Sequence, residues 1–179
     1  MKKILFYAFF LLLFIVFPLI STDVLAQSLG RDLGVQTGLL PSNPFYFIKE
    51  WKRSVKRALT FDAIKKIEFD LSIVNEKAAE LMKLATVVPD KTNLINDAID
   101  NYETSLKALS AEVESSKLSS GSDIDKLLDR LIDRLLLHTE LFSELSFAFS
   151  EDLELVERLK EVRGQSVGLI AVIPQKIEK

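Results

Sequence analysis

Apolar residues recur along most of the chain at the three- and four-residue spacing of amphipathic helices. A series with this spacing places its members on one side of a helix, the pattern of a helix packed lengthwise against partners. Asp62 precedes the first long series, where its carboxylate can accept hydrogen bonds from the free N–H groups of a helix start. The pattern predicts a long helix after Asp62, with this seam in a core: Ile64, Ile67, Leu71, Val74, Ala78, Leu81 and Ala85.

Two further seams with the same spacing follow along the chain. One comprises Ile95, Ile99, Tyr102, Leu106, Leu109 and Val113. The other comprises Ile124, Leu128, Leu131, Leu135, His138, Phe142, Leu145 and Phe149. Ser122 and Asp125 at the start of the latter resemble a capping box. The short loop before Ser122 predicts that the two helices it joins pack against each other in an antiparallel arrangement.

The C-terminal part of the chain predicts a break and then a stop. We expect a break or bend near Ser150, after which Leu153, Val156 and Leu159 continue an apolar face. Gly164 is expected to end this segment, leaving residues 164–179 as a C-terminal tail. The short apolar piece over residues 167–173 of this tail is expected either to pack back on the bundle or to pair with another chain. The predicted fold is therefore an all-α antiparallel helical bundle of four main helices over residues 41–163, with this segment as a candidate fifth.

A shorter amphipathic helix is predicted ahead of the long one. Proline is favoured in the first turn of a helix, so Pro44 marks its start and Asn43 is a candidate N-cap. Thr60 to Asp62 are expected to turn into the long helix, with Phe61 tucked into the angle. The apolar face carries Ile48, Trp51, Val55 and Ala58 or Leu59, and the cationic face carries Lys49, Lys52, Arg53, Lys56 and Arg57.

The entry to this short helix reads Leu-Pro-Ser-Asn-Pro-Phe-Tyr over residues 40–46, and its exit reads Ala-Leu-Thr-Phe-Asp over residues 58–62. With Lys49 between them, these motifs resemble an exported prokaryotic helical domain known only as a domain of unknown function. Asn43 stands between Ser42 and Pro44, which departs from the Pro-x-Ser-Pro entry of that family. The resemblance covers residues 40–85 and implies a secreted helical domain, without implying an activity.

The first 26 residues have the organisation of a signal peptide. Lys2 and Lys3 precede an apolar run over residues 4–20, and Val-Leu-Ala at residues 24–26 provides a cleavage site. We predict cleavage after Ala26 and export to the periplasm or outside the cell. The alternative is an uncleaved membrane anchor, since about 20 apolar residues span a bilayer. Residues 27–40 contain three glycines and are predicted to form a flexible tether.

Reactive groups are sparse in the chain. There is no cysteine, so stability has to come from the apolar core. His138 is the only histidine and lies on an apolar seam, without the several donors that a metal site needs. We therefore expect no enzymatic activity, no cofactor and no metal. His138 is either a core residue or the centre of a ligand- or stress-sensing site between helices.

Charge is distributed unevenly along the chain. The whole chain has 23 basic and 26 acidic residues, whereas residues 49–66 contain seven basic and two acidic ones. The candidate binding residues are Lys49, Lys52, Arg53, Lys56, Arg57 and Trp51. This basic face either pairs with acidic helices of the same molecule or stays solvated, contacts an anionic membrane surface or envelope polymer, or docks an envelope protein. Nucleic acid is disfavoured because the chain is acidic and carries an export signal. The sequence thus predicts a non-enzymatic, exported interaction or structural module, and it leaves the oligomeric state open.

Overall fold

The computed structural model describes residues 33–35, 37–116 and 121–176 of the 179-residue chain. The predicted signal peptide over residues 1–26 lies outside this part. The described residues form five α-helices and contain no strand, which confirms the all-α prediction. The helices are α1 (Tyr46–Ala58), α2 (Ala63–Val87), α3 (Thr92–Ser115), α4 (Ser122–Ala148) and α5 (Leu153–Val172), followed by a 3-10 turn over Ile173–Lys176.

The four long helices, α2 to α5, form a bundle of two antiparallel hairpins. The bundle therefore includes the segment predicted as a candidate fifth helix, whereas α1, predicted as one of the four main helices, has no buried residue. α2 packs along α3, α4 packs along α5, and the hairpins meet through α2 against α4 and α3 against α5. Arg130 near the start of α4 donates to Glu68 near the start of α2 at 3.0 Å. Arg158 in α5 likewise donates to Asn96 near the start of α3 at 2.8 Å. α2 and α4 therefore run side by side in the same direction, and α3 and α4 lie across the diagonal with opposite directions. The antiparallel direction predicted for α3 and α4 is confirmed, but the prediction that they pack against each other is wrong, because α2 and α5 lie between them.

The predicted seams fill the centre of this bundle. Every seam residue of α3 is buried, and the seam of α2 is buried between Ile67 and Leu81. Leu33 belongs to the same core with only 2% of its surface exposed, and Arg134 donates to its carbonyl oxygen at 3.0 Å. The prediction of a flexible tether over residues 27–40 is therefore wrong at Leu33. Removal of its apolar side chain from water stabilises the packed position of this segment.

Two helix starts follow the sequence prediction. The Asp62 carboxylate accepts a hydrogen bond from the backbone N–H of Lys65 at 2.8 Å, which caps α2. The break near Ser150 is also confirmed, since α4 ends at Ala148 and α5 begins at Leu153. Asp152 caps this new helix by accepting from the Leu155 N–H at 3.0 Å.

Two other helix starts differ from the prediction. α1 begins at Tyr46, and Asn43 instead accepts a hydrogen bond from the Phe45 N–H at 2.9 Å in the turn before it. α4 has Gly121 as its N-cap, and Ser122 is already helical without a capping bond. The capping-box prediction is therefore wrong. The two acidic residues of the first turn of α4 favour the helix start through the helix dipole instead.

The expectation that Gly164 ends the last helix is also wrong. α5 continues through Gly164 to Val172, and Ser166, Leu169 and Ile173 beyond the glycine are buried. Glycine in a helix interior costs about 1 kcal/mol relative to alanine, which burial of two large apolar side chains outweighs. The predicted tail over residues 164–179 is thus bundle core as far as Ile173.

Candidate interaction surface

α1 is docked on the bundle with its polar face inward and its apolar face outward. None of its residues is buried, and Trp51 has 69% of its surface exposed. The prediction that Phe61 tucks between α1 and α2 is wrong: Phe61 is 90% exposed, because charged groups occupy the inner side of α1. We call the exposed apolar residues of α1 and its flanks the outward stripe, which consists of Phe45, Phe47, Ile48, Trp51, Val55 and Leu59.

The inward face of α1 is held by ion pairs, which we call the polar clamp. Lys49 Nζ lies 2.5 Å from Glu76 Oε1 of α2 and also pairs with Glu80. Arg53 pairs with Glu76. Further along, the Arg57 guanidinium binds both carboxylate oxygens of Asp70, at 2.8 Å from Nε and 2.9 Å from Nη2. The clamp comprises Lys49, Arg53 and Arg57 on α1 with Asp70, Glu76 and Glu80 on α2.

A buried cluster of polar groups lies beneath the first turns of α1. Lys77 and Glu80 of α2 are only 2% and 1% exposed. The Tyr46 hydroxyl donates to Glu80 Oε2 at 2.6 Å, and Lys77 donates to the same hydroxyl and to Glu50 Oε1, the latter at 2.7 Å. The Lys77 ammonium also lies 4.6 Å from the centre of the Tyr46 ring. Each buried charge therefore has partners, which burial in a protein requires.

The carboxyl groups of Glu50 and Glu76 beside this cluster have pKa values below the ordinary one and are ionised at neutral pH. Burial by itself raises the pKa of Glu50, but the hydrogen bond and charge of Lys77 and the charge of Arg53 outweigh it and lower the pKa. Burial likewise opposes ionisation of Glu76, and Lys49 with Arg53 nevertheless brings its pKa below the ordinary value. Burial and the neighbouring Glu80 raise the pKa of Tyr46, so its hydroxyl stays protonated. The cluster thus retains its hydrogen bonds across the neutral range.

The six candidate binding residues divide into two groups. Lys49, Arg53 and Arg57 pair within the chain, as the intramolecular interpretation of the basic face predicts. Lys52 and Lys56 are exposed, and the Lys56 ammonium lies 4.5 Å from the ring centre of Phe69 in α2. Trp51 faces solvent with the rest of the outward stripe.

Sequence reasoning missed the α2 side of this arrangement. Asp70, Lys77 and Glu80 lie off the apolar seam of α2, where charged residues of an amphipathic helix are normally exposed to solvent. In the structure all three are buried. Their shared spacing of seven and three residues was the available signal, because it places them on one side of a helix. Tyr46 ends the entry motif over residues 40–46, and nothing in that motif marks it as a partner of these charges.

His138 occupies a second polar cluster in the middle of the bundle. Its Nδ1 lies 3.0 Å from the Tyr102 hydroxyl, which lies 3.1 Å from Ser166 Oγ, and Ser166 donates to the Val162 carbonyl oxygen at 3.1 Å. With a proton on Nδ1, His138 donates to the Tyr102 hydroxyl, which donates to Ser166 Oγ. Every hydrogen bond in this row then has one donor and one acceptor. His138 Nε2 is buried without a hydrogen-bond partner, and as the unprotonated nitrogen it leaves no donor unsatisfied.

The His138 cluster is electrically neutral. Burial, aided by the positive charge of Arg134, lowers the pKa of His138 to about 3. Burial also raises the pKa of Tyr102. Within residues 33–35, 37–116 and 121–176, no group of three or more histidine, cysteine or acidic side chains is arranged to hold a metal ion. None of the helices in these ranges combines the length and apolarity needed to cross a membrane.

The chain belongs to the family described as Domain of unknown function (DUF5667), which matches residues 38–135. The match covers more than half of the chain and takes in α1, α2, α3 and the first half of α4. It confirms the resemblance to a helical family of unknown function that the residues of the α1 entry and turn indicate. Neither the curated proteins nor the solved structures gave a match to this chain.

Proposed function

We propose that this protein is a non-enzymatic, exported helical module that contacts an anionic membrane surface through the outward stripe of α1. The orientation of α1 is the observation that carries the proposal. A short amphipathic helix in a folded domain normally turns its apolar side to the core. Here the apolar side of α1 is exposed along its whole length. Export is proposed from the sequence of residues 1–26.

The composition of the outward stripe suits a lipid interface. Helices that lie in the plane of a membrane insert tryptophan, phenylalanine and leucine, and they carry lysine or arginine beside them for anionic headgroups. Trp51, Phe47 and Leu59 supply the first group. Lys52 and Lys56 are exposed next to the stripe and supply the second. The surface is therefore an apolar strip with positive charge along one edge.

The size of the outward stripe favours lipid over a second copy of the chain. α1 has 13 residues, which corresponds to a length of about 20 Å. A strip one helix wide over that length presents a few hundred Å², whereas a stable protein interface buries about 800 Å² on each partner. Insertion of a few aromatic side chains into a bilayer needs no such area, because the lipid surrounds each inserted side chain.

Vesicle binding tests this proposal. We expect wild-type protein to co-sediment with vesicles that contain anionic lipid and to bind neutral vesicles more weakly. Replacement of two inserted aromatics in a Phe47→Ser/Trp51→Ser variant is expected to weaken binding by about tenfold or more, since each buried side chain contributes about 1.5–3 kcal/mol.

A matched control uses exposed apolar residues outside α1. Phe147 and Leu153 flank the turn between α4 and α5, and both are more exposed than any residue of the outward stripe. A Phe147→Ser/Leu153→Ser variant is expected to bind vesicles as the wild type does. An equal loss of vesicle binding in the two double variants would show that any exposed apolar side chain supports binding, which would refute a specific role of the outward stripe. Unchanged binding of the Phe47→Ser/Trp51→Ser variant would also refute the assigned surface.

A further inference from the structure

We infer that α1 contacts the membrane while it remains docked on α2, and that Tyr46, Lys77 and Glu80 are positioning residues that hold the outward stripe toward the lipid. This inference rests on the proposed function and concerns how that surface is presented. The polar clamp and the outward stripe lie on opposite sides of α1. Lipid contact therefore does not compete with the clamp.

The surface of α2 beneath α1 permits only one rotation of that helix. Asp70, Lys77 and Glu80 are almost completely buried there, and α1 supplies partners to each of them. A half-turn of α1 would place Ile48 and Trp51 over these groups and remove those partners. An uncompensated charge buried under apolar side chains is strongly unfavourable, so the apolar side is kept outward.

Docking also keeps α1 helical. An isolated helix shorter than about 12–15 residues is marginal in water, and α1 has 13. A detached α1 would lose the ordered stripe, because Ile48, Trp51 and Val55 share one side only while the helix persists. The docked helix offers a preformed strip, which saves the ordering cost at the moment of binding.

Cross-linking of α1 to α2 tests whether the helix has to leave the bundle. The chain has no cysteine, so an Arg53→Cys/Glu76→Cys variant can be bridged specifically by a short bismaleimide. Both residues belong to one pair of the clamp. We expect the bridged protein to bind anionic vesicles within about twofold of the same variant blocked with N-ethylmaleimide, as a locked helix keeps its stripe exposed.

The outcomes separate the inference from the proposed function. Binding by the blocked protein but not by the bridged one would overturn docked contact and leave membrane binding intact. No binding by wild-type protein would refute the proposed function, and the inferred membrane contact with it.

A measurement without lipid tests the positioning residues by themselves. Trp51 is the only tryptophan, so fluorescence anisotropy reports the motion of α1 directly. We expect Trp51 to tumble with the whole molecule in the wild type and to gain fast local motion in Tyr46→Phe and Lys77→Met. Tyr46→Phe removes only the hydroxyl and keeps the shape of the side chain, which guards against a variant that fails to fold.

The control for this measurement is an ion pair elsewhere. Arg130 and Glu68 pair between α4 and α2 at 3.0 Å, and Arg130→Gln removes that pair without touching α1. It is expected to leave the Trp51 signal unchanged. Independent motion of Trp51 in the wild type, or an unchanged signal in both Tyr46→Phe and Lys77→Met, would overturn the positioning role whatever the vesicle result.

Discussion

His138 shows how an ionisable residue is accommodated at the centre of a helical bundle. Its place on the α4 seam could be predicted from the spacing of the apolar residues around it. Its partners could not, because Tyr102 lies 36 residues away in α3 and Ser166 lies in α5. Only the packing of three helices brings these side chains together, and no local pattern encodes that packing.

The burial of His138 predicts a defined loss of stability in mild acid. In the unfolded chain His138 has a pKa near 6.5, whereas in the folded chain its pKa is about 3. Because the folded pKa lies below the unfolded one, stability is complete above pH 6.5 and falls as the pH decreases toward 3. The free energy of unfolding is expected to fall by about 2 kcal/mol between pH 8 and pH 5, measured by urea denaturation.

The same measurement of unfolding free energy against pH in a His138→Leu variant shows how much of the change is due to His138. Glu50 and Glu76 have pKa values below 4.5 in the folded chain, so their contribution is lost at lower pH than that of His138. The variant is expected to show a nearly flat stability between pH 8 and pH 5. A wild-type curve that is equally flat, or a variant that keeps the wild-type slope, would contradict the assignment.

At the scale of the element, α5 shows why a glycine does not necessarily end a helix. Gly164 and Gly168 both lie inside the helix, and a Cβ added at either position would meet no other atom within 4 Å. Gly164→Ala and Gly168→Ala are each expected to stabilise the protein by about 0.5–1 kcal/mol, because alanine restricts the unfolded chain and favours the helix. Thermal and urea unfolding measure this.

Gly34 provides the contrasting substitution. Its φ of 58° is a left-handed conformation, which side chains with a Cβ adopt at a cost of about 1–2 kcal/mol. Gly34→Ala is expected to destabilise or release the segment around Leu33. Stabilisation by this variant, or destabilisation by both variants in α5, would contradict the backbone conformations described for these glycines.

α1 is predicted to respond to salt differently from the other helices. Its docking depends on ion pairs, whereas α2 to α5 are held by apolar burial. The Debye length falls to about 3 Å at 1 M salt, which weakens the partly exposed pairs that Arg57 and Glu76 form. The buried contacts of Lys77 and Glu80 are screened much less. We expect the Trp51 anisotropy to fall as sodium chloride is raised to that concentration.

The bundle serves as the internal control for that salt response. Cooperative unfolding of α2 to α5, followed by circular dichroism, is expected to change little over the same range, because apolar burial is not weakened by sodium chloride. A loss of helicity and anisotropy at the same salt concentration would show that α1 and the bundle form one cooperative unit.

At the scale of the whole molecule, the bundle is more predictable than the surface. The seams of α2, α3 and α4 could be predicted because each is a long periodic pattern whose burial is the main driving force of folding. The length of α5 could not, since Gly164 is a local break signal and burial of Leu169 and Ile173 overrides it. Burial of that kind depends on the neighbouring helices.

The orientation of α1 could not be predicted from sequence for a different reason. An amphipathic pattern shows that the two sides of a helix differ in polarity. In most folded domains the apolar side faces the core, so that orientation is the default prediction. In this chain Asp70, Lys77 and Glu80 make the receiving surface of α2 polar, and Tyr46 and Lys49 complement it. The faces of α1 could therefore be assigned from sequence, whereas their direction needed the partner helix.

The absence of buried residues in α1 has a consequence for how this protein can diverge. Folding is decided by α2 to α5, and adhesion is assigned to side chains that contribute nothing to the interior. Substitutions along the exposed side can therefore alter the proposed membrane contact without a folding penalty, provided that Tyr46, Lys49, Arg53 and Arg57 keep their anchoring groups. The same separation makes the bundle a scaffold onto which a first helix of different specificity could be grafted.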